Sequence, residues 1–279
     1  MIRKRITRKV NNHPILFLLL SACSLIIFQG CGTLSNGRGW GQDATFSPGW
    51  DRIKKSAIDA AISPETWIPV AASIALQVDD MDERISDWAS DNNPIFGSRN
   101  NAGQWTEYIF GCSIASYFIT AMAVPSGEKP SDWSIAKAKG LAVGVTSWWI
   151  PSGTVFLLKR VSDRTRPDGS NSRSFPSDHA SASGAFTTLA RRNLESLSLS
   201  PGSRIFADIG ITGMAAGTAW ARVEAKKHYL SDVLVGYALG HFFSAFINDA
   251  FLGLENEKSP QLTIEPSRKG MMIGLSWAY

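Results

Sequence analysis

The chain is poor in cysteine, in net charge and in long apolar segments. Its 279 residues include only 3 cysteines, too few for the disulfide framework of a small secreted protein. The mean hydropathy of -0.04 leaves little room for six membrane spans of roughly 20 apolar residues each. Because 44% of the residues are hydrophobic, disorder is also excluded. The composition therefore indicates a packed core of one domain, or two.

The excess of basic charge is confined to the N-terminus. The sequence has 28 Lys and Arg against 24 Asp and Glu, but five of the basic residues lie within residues 1–9, and residues 1–30 hold no acid. The remainder, with 23 basic and 24 acidic residues, is neutral. A neutral body argues against a nucleic-acid partner, despite a pI of about 9.0.

Residues 1–30 have the pattern of a lipoprotein signal peptide. The basic start precedes an apolar run over residues 15–28, which is too short to cross a bilayer comfortably but suits a signal peptide. Cys23 and Cys31 each follow a small residue, as the lipid-modified cysteine of a bacterial lipoprotein does. We favour Cys31 because a polar stretch follows it; a signal anchor or a buried cysteine is the alternative. Gly32, by the usual sorting convention, directs the protein to the outer membrane, facing the periplasm.

The rest of the chain reads as a tether, a helical domain and a small β-hairpin. The Gly-rich residues 31–50 predict a flexible tether, residues 51–255 a helical domain, and the alternating pattern of residues 256–279 a hairpin. Ser63-Pro64-Glu65 predicts a helix start. The charge-free stretches 108–127 and 140–158 are long enough to span a membrane, but we favour buried core helices. The acidic run from Asp79 to Asp82 indicates a solvated face rather than a calcium loop.

Two short motifs supply candidate anion-binding groups. In the first, Lys159 is followed after six residues by Arg166-Pro167. Seven residues make about two helical turns and the proline forces Arg166 out of the helix, so both cations can converge on one anion. A basic solvated helix end would show the same pattern. The second motif runs from Ser174 to His179 and combines a hydroxyl with backbone N–H groups at a helix start. His179 could protonate a departing oxygen there; a capping turn with a surface histidine is the alternative.

The third motif supplies a candidate nucleophile. Arg222 is followed after five residues by His228 and after three more by Asp232. A histidine and an aspartate four residues apart share a helix face, so the carboxylate can hold one ring nitrogen and leave the other free to attack. A structural His–Asp pair has the same spacing. The presence of all three motifs in order argues against coincidence.

Together the three motifs resemble the signature of the phosphatidic acid phosphatase type 2 superfamily, which includes class A acid phosphatases and vanadium haloperoxidases. The resemblance implies an all-α helical bundle, to which we add the C-terminal β-hairpin. It implies that His228 forms a phosphohistidine, that Asp232 orients it, and that His179 protonates the leaving group. It also implies that no metal or cofactor is needed. The phosphate-binding residues implied by the resemblance are Lys159, Arg166, Ser177, Asp178 (through its backbone) and Arg222.

Two positions depart from the family pattern. Asp178 replaces the usual glycine, a variant associated with undecaprenyl-diphosphate phosphatases, and Ala221 replaces the usual serine. Neither change removes a catalytic group, but the extra negative charge leaves the substrate open. Lys226 and Lys227 could compensate for that charge or meet anionic headgroups.

We therefore expect a metal-independent phosphatase, lipid-anchored in the cell envelope, that acts on a phosphomonoester or diphosphate of a lipid. The candidate substrates are lipid A, a phospholipid phosphate and a polyprenyl phosphate. A tethered acid phosphatase of broad specificity and a structural lipoprotein without catalysis are the alternatives. A haloperoxidase is the least favoured, since it would need bound vanadate.

Overall fold

The body of the protein is helical. The computed structural model describes residues 30–253, 261–267 and 270–276. Within these ranges the helices are α1 (Trp50–Ile62), α2 (Pro64–Ala75), α3 (Met81–Asn92), α4 (Arg99–Ala123), α5 (Pro130–Ser162), α6 (Asp178–Glu195), α7 (Pro201–Glu224) and α8 (Leu230–Leu252), with a 3-10 turn over Val78–Asp80. The predicted all-α body is confirmed. The predicted signal peptide, apart from Gly30, and Cys23 lie outside the described residues.

Two strands follow the helices. Strands β1 (Gln261–Ser267) and β2 (Gly270–Ser276) pair antiparallel, with Gln261 opposite Ser276. Residues 268–269, which connect the two strands, lie outside the described residues. Residues 254–260, which link α8 to β1, also lie outside them. The C-terminal β-hairpin therefore stays a prediction.

Serine and proline residues mark several helix starts. Helix α2 begins at Pro64 after Ser63, as the sequence predicts, although the Ser63 hydroxyl donates to the Glu65 carboxylate at 2.6 Å instead of capping the helix. At the start of α7, the Ser200 hydroxyl accepts a hydrogen bond from the backbone N–H of Ser203 at 3.2 Å. Such caps satisfy amide groups that have no partner inside the helix.

Helix α8 occupies the centre of the bundle and packs against α1, α2, α5 and α6. Its approach to α6 is close because glycines face that helix. A Cβ atom at Gly236 would lie 2.6 Å from the carbonyl oxygen of Ser177, and one at Gly240 would lie 2.0 Å from that of Ser181. This close packing places the first turn of α6 beside the first turn of α8.

Gly240→Ala is expected to lower the free energy of unfolding by about 1–3 kcal/mol, since the backbones of α6 and α8 would have to separate. Gly213→Ala is the matched control, because Gly213 lies on exposed α7 with no atom within 4 Å of an added Cβ. The control should raise stability by up to about 1 kcal/mol through helix propensity. Thermal unfolding followed by circular dichroism checks both. Equal effects of the two substitutions would contradict the packing argument.

The segment 31–50 is packed against the body and is not the flexible tether that its composition predicts. Trp40 is only 1% exposed, and its backbone N–H donates to the Pro125 carbonyl at 2.8 Å. Gly32 pairs with Gly127 through two backbone hydrogen bonds. A glycine-rich sequence is typical of a flexible segment, whereas here glycine allows close backbone approach around a buried tryptophan. Cys31 is exposed and is fixed beside the α4–α5 connection.

Helix α5 presents much of its apolar surface outward. Among the described residues, Pro130–Ser162 and Leu230–Leu252 are long and apolar enough to cross a membrane, by length and composition alone. Helix α8 is surrounded by other helices, whereas Trp149 on α5 is 70% exposed and Leu157 is 61% exposed. The expectation that residues 140–158 form a buried core helix is therefore wrong. Residues 108–127 are half-buried, with Tyr117 inside and Tyr108 outside.

Candidate active site

The second and third motifs meet where α6 and α8 begin. Ser177 is the buried N-cap residue of α6, and its backbone N–H donates to the Asp232 carbonyl oxygen at 3.0 Å. The Ser174 hydroxyl donates to the Asp232 carboxylate at 2.5 Å. The Nδ1 atom of His228 lies 2.7 Å from the Ser174 carbonyl oxygen. The turn before α6 and the start of α8 are thus held together by hydrogen bonds.

His228 is fixed in one tautomer. Its side chain is 1% exposed, and the carbonyl oxygen of Ser174 can only accept a hydrogen bond. For the neutral ring, Nδ1 must therefore carry the hydrogen, and Nε2 keeps its lone pair. Burial, together with the nearby cations of Arg222 and Lys159, lowers the pKa of His228 to about 4, against the opposing effect of Asp232. At neutral pH the ring is therefore uncharged, and the lone pair of Nε2 is available.

Asp232 supports His228 mainly through other residues. Its Oδ2 atom lies 3.7 Å from Nδ1 of His228, farther than the sequence hypothesis of a direct hydrogen bond requires. The same carboxylate accepts hydrogen bonds from the Ser174 hydroxyl, from the Tyr229 backbone N–H at 2.9 Å, and from Arg164 Nη1 at 2.8 Å. Asp232 therefore fixes the turn whose carbonyl orients the imidazole.

Arg164 and Asp82 belong to the site although the motif analysis missed them. Arg164 bridges two carboxylates, with Nη1 2.8 Å from Asp232 and Nη2 2.8 Å from Asp82, and it stacks on the Tyr229 ring at 4.1 Å. Asp82 is buried and also accepts from the backbone N–H of Ser231 at 2.8 Å. The expected solvated acidic face is therefore wrong at Asp82, while Asp79 and Asp80 are exposed.

The three motif cations converge around an anion-binding position. Lys159 is nearly buried, and its Nζ atom donates to the Arg173 carbonyl at 2.9 Å and lies 3.5 Å from Asp178. The Nε atoms of Arg166 and Arg222 are buried and donate to no acceptor. Burial and the neighbouring Arg166 cation lower the pKa of Arg222 to about 10. Two adjacent guanidinium groups with unpaired donors are a ready binding site for a phosphate group.

His179 borders the same position and has an acidic partner. Its Nε2 atom lies 3.1 Å from Oε1 of Glu107 on α4, and its ring packs edge-on against Phe110. Burial and the Arg222 cation lower the pKa of His179, while Glu107 and Asp178 act in the opposite direction. Glu107 lies 72 residues before His179 and in no motif, so no sequence pattern marked it as part of the site.

The fold thus brings the residues of the three motifs together. Arg222 influences both histidines electrostatically, and Arg166 acts on Arg222 and Lys159. Ser177 and the N–H groups at the start of α6 line the same turn. Within the described part of the chain, no group of three or more His, Cys, Asp or Glu side chains could hold a metal ion. The arrangement combines a neutral imidazole that has a free ring nitrogen, a second titratable imidazole and several cations.

Comparison with known proteins agrees with this chemistry. Residues 133–252 match the family model described as PAP2 superfamily. This match confirms the resemblance inferred from the three motifs and supports a phosphatase. No curated protein matches the chain.

One solved structure is similar to the chain. It is the crystal structure of a transmembrane PAP2-type phosphatidylglycerolphosphate phosphatase from Bacillus subtilis, at 19% sequence identity and a TM-score of 0.46. The similarity covers 71% of this chain and 94% of that one.

Proposed function

We propose that the protein hydrolyses the terminal phosphate of a membrane lipid in two steps, through a phosphohistidine on His228. The observation that carries the proposal is the hydrogen bond between Nδ1 of His228 and the Ser174 carbonyl, because it leaves Nε2 free to attack. The cations Lys159, Arg166 and Arg222, with Ser177 and the backbone at Asp178, bind the phosphoryl oxygens and stabilise the charge that develops on them.

Each step breaks one bond to phosphorus. In the first, Nε2 of His228 attacks phosphorus, the bond to the leaving oxygen breaks, and His179 donates its proton to that oxygen. In the second, water attacks the phosphohistidine and gives a proton to His179. The P–N bond then breaks, which releases phosphate and restores neutral His228. A bound phosphate dianion favours the protonated form of His179 that the first step needs.

The apolar surface of α5 supports a lipid substrate. Lys159 lies about three helical turns after Trp149, and the intervening Phe156 and Leu157 are exposed. Large exposed apolar side chains beside an anion-binding position suit a phosphate group at the edge of an acyl layer. We infer that this face of α5 contacts the membrane.

A lipid on Cys31 would lie at the other end of α5 from the site. Gly32 is paired with Gly127, just before α5, whereas Lys159 lies 29 residues after Pro130, about 44 Å along the helix axis. Since residues 31–50 are packed and form no tether, a lipid at this position does not by itself deliver the active site to the membrane surface. The apolar face of the body must therefore contribute to membrane attachment.

A Cys31→Ser variant, secreted with a cleavable signal, is expected to stay in the membrane fraction and to need detergent for extraction. Cys112→Ser is the matched control, because Cys112 is also exposed but lies on α4. Lipid incorporation should be lost in the first variant and kept in the second. Recovery of Cys31→Ser as soluble, active enzyme would contradict attachment through the apolar face. Loss of lipid in Cys23→Ser instead would move the lipidation site to Cys23.

The acid–base roles of the histidines predict a bell-shaped pH dependence of kcat/KM. The acidic limb falls near pH 4, where His228 becomes protonated, and the alkaline limb follows deprotonation of His179, whose pKa lies below its ordinary 6.5. Because Glu107 raises the pKa of His179, Glu107→Gln should move the alkaline limb to lower pH. Substrate ionisation is the same for both enzymes, so the comparison isolates His179. An unchanged alkaline limb in the variant would show that His179 is not the group that transfers the proton.

The substrate class is tested by comparing a lipid phosphate in mixed micelles with a water-soluble aryl phosphate. We expect a larger kcat/KM for the lipid, with both activities absent in His228→Ala. Equal or better turnover of the aryl phosphate would favour the tethered acid phosphatase of broad specificity.

A further inference from the structure

The carbonyl oxygen of Ser174, which lies 2.7 Å from Nδ1 of His228, is flanked by two peptide units that are bonded from outside the turn. Before it, the peptide unit that joins Arg173 to Ser174 uses both of its polar groups. Its carbonyl accepts from Nζ of Lys159 at 2.9 Å, and its N–H donates to the Arg164 carbonyl at 2.9 Å. The chain on this side of the Ser174 carbonyl is therefore fixed.

After it, the peptide unit that joins Phe175 to Pro176 has a single polar group. Proline has no N–H, so only the Phe175 carbonyl can form a hydrogen bond, and it accepts from the Ser162 hydroxyl at 2.9 Å. Ser162 is the last residue of α5, because Asp163 has a left-handed backbone with a φ of 42° and ends the helix there. One hydroxyl group at the end of α5 therefore holds this side of the turn.

Lys159 and Ser162 lie three residues apart in α5, so their side chains share a face of the helix. Lys159 also binds phosphate in the proposed mechanism, and its removal would therefore change two functions at once. Ser162 is exposed and occupies none of the fixed positions of the three motifs. Its hydrogen bond to Phe175 can thus be removed while every phosphate-binding group stays in place.

We infer that Ser162 is a positioning residue for the nucleophile. By holding the Phe175 carbonyl, its hydroxyl restricts the rotation of the peptide unit that contains the Ser174 carbonyl, and that carbonyl keeps the hydrogen of the His228 ring on Nδ1. The lone pair of Nε2 then stays free for the attack on phosphorus. The inference rests on the proposed function and adds to it a residue that acts on His228 through the turn, without contacting the substrate.

Ser162→Ala is expected to lower kcat for a water-soluble aryl phosphate roughly 3- to 10-fold, because one neutral hydrogen bond is lost, and to leave KM unchanged. Ser162→Thr keeps the hydroxyl and should restore kcat to within about twofold of wild type. Ser152→Ala is the matched control, because the Ser152 hydroxyl, also on α5, donates to the Trp148 carbonyl of its own helix at 3.0 Å. The control should leave kcat and KM unchanged.

The tautomer of His228 is the property that a loss of stability alone would not change. Protein labelled with ¹⁵N-histidine and held in detergent micelles gives NMR correlations between ring nitrogens and ring hydrogens, and the His228 signals are those absent from His228→Ala. In wild type and in Ser162→Thr we expect a single tautomer, with the hydrogen on Nδ1. In Ser162→Ala we expect a second tautomer in exchange with it.

A single tautomer in Ser162→Ala, or a kcat equal to that of wild type, would overturn the inference. An equal loss of kcat in Ser162→Ala and Ser162→Thr would overturn it too, since the hydroxyl would then not be the acting group. Both results leave the role of His228 as nucleophile intact. A wild-type enzyme that releases no phosphate would instead contradict the proposed function, while the tautomer measurement would still test the link between Ser162 and His228.

Discussion

Phosphate release by a His228→Ala variant is expected to fall roughly 10⁴-fold or more below wild type. In the proposed mechanism the attacking atom is Nε2 of His228, and alanine provides no lone pair in its place. The neighbouring His179 is not expected to replace it, since the proposal assigns it the role of the acid and its Nε2 atom contacts Glu107. Steady-state release of phosphate from a short-chain lipid phosphate measures the effect.

His241→Gln is the matched control for that variant. His241 is also a buried histidine of α8, but its ring nitrogens face Thr188 at 2.8 Å and Ser63 at 3.1 Å, away from the phosphate position. Its replacement should leave kcat within a fewfold of wild type, even if stability falls. Substantial activity in His228→Ala would contradict the assignment of His228 as the nucleophile. An equal loss of activity in His241→Gln would contradict it as well.

Asp232→Asn is expected to lower kcat by roughly 100-fold or more, with a smaller effect on KM. The carboxylate accepts from three donors, on Ser174, Tyr229 and Arg164, and an amide group must present its own hydrogens to at least one of them. The Ser174 turn then loosens, and with it the carbonyl that orients His228. Because the imidazole is displaced and not removed, the loss should be smaller than in His228→Ala.

Asp82→Asn separates this effect from a general loss of stability. Asp82 shares Arg164 with Asp232, but it contacts neither Ser174 nor His228. We expect a comparable fall in melting temperature for the two variants and less than a tenfold change in kcat for Asp82→Asn. Equal losses of kcat would show that Asp232 acts only through the Arg164 ion pairs.

The spacing of the motif residues along the chain predicts which of their side chains lie close together, because spacing along a helix determines which side chains share a face. The start of α2 at Pro64 and the convergence of Lys159 and Arg166 could be predicted from local rules of this kind, whereas Arg222 was placed with them only by the family resemblance. The hydrogen bond between His228 and the Ser174 carbonyl could not, since a backbone oxygen leaves no mark on the sequence. The sequence pattern therefore favoured Asp232 as the direct partner of His228, because Asp232 is an acidic residue at the right spacing.

Contacts between helices that are distant along the chain could not be predicted from the sequence either. Asp82 lies 82 residues before Arg164, and Glu107 lies 72 residues before His179, so only the packing of α3 and α4 beside the motifs reveals them. Trp40 shows the same limit: its Gly-rich neighbours indicated a flexible segment, but Gly140 leaves room for its ring. The presence of a large apolar side chain, Trp40, in this glycine-rich stretch is the local feature that favours packing.

The most direct test of the account is chemical trapping of the phosphorylated enzyme. Wild-type protein and a His228→Ala variant are mixed with a ³²P-labelled lipid phosphate, quenched in alkali within milliseconds and digested. We predict base-stable, acid-labile phosphate on the wild-type peptide that contains His228, and none in His228→Ala. Turnover of the labelled substrate without protein-bound phosphate, or with phosphate on another residue, would contradict the phosphohistidine mechanism.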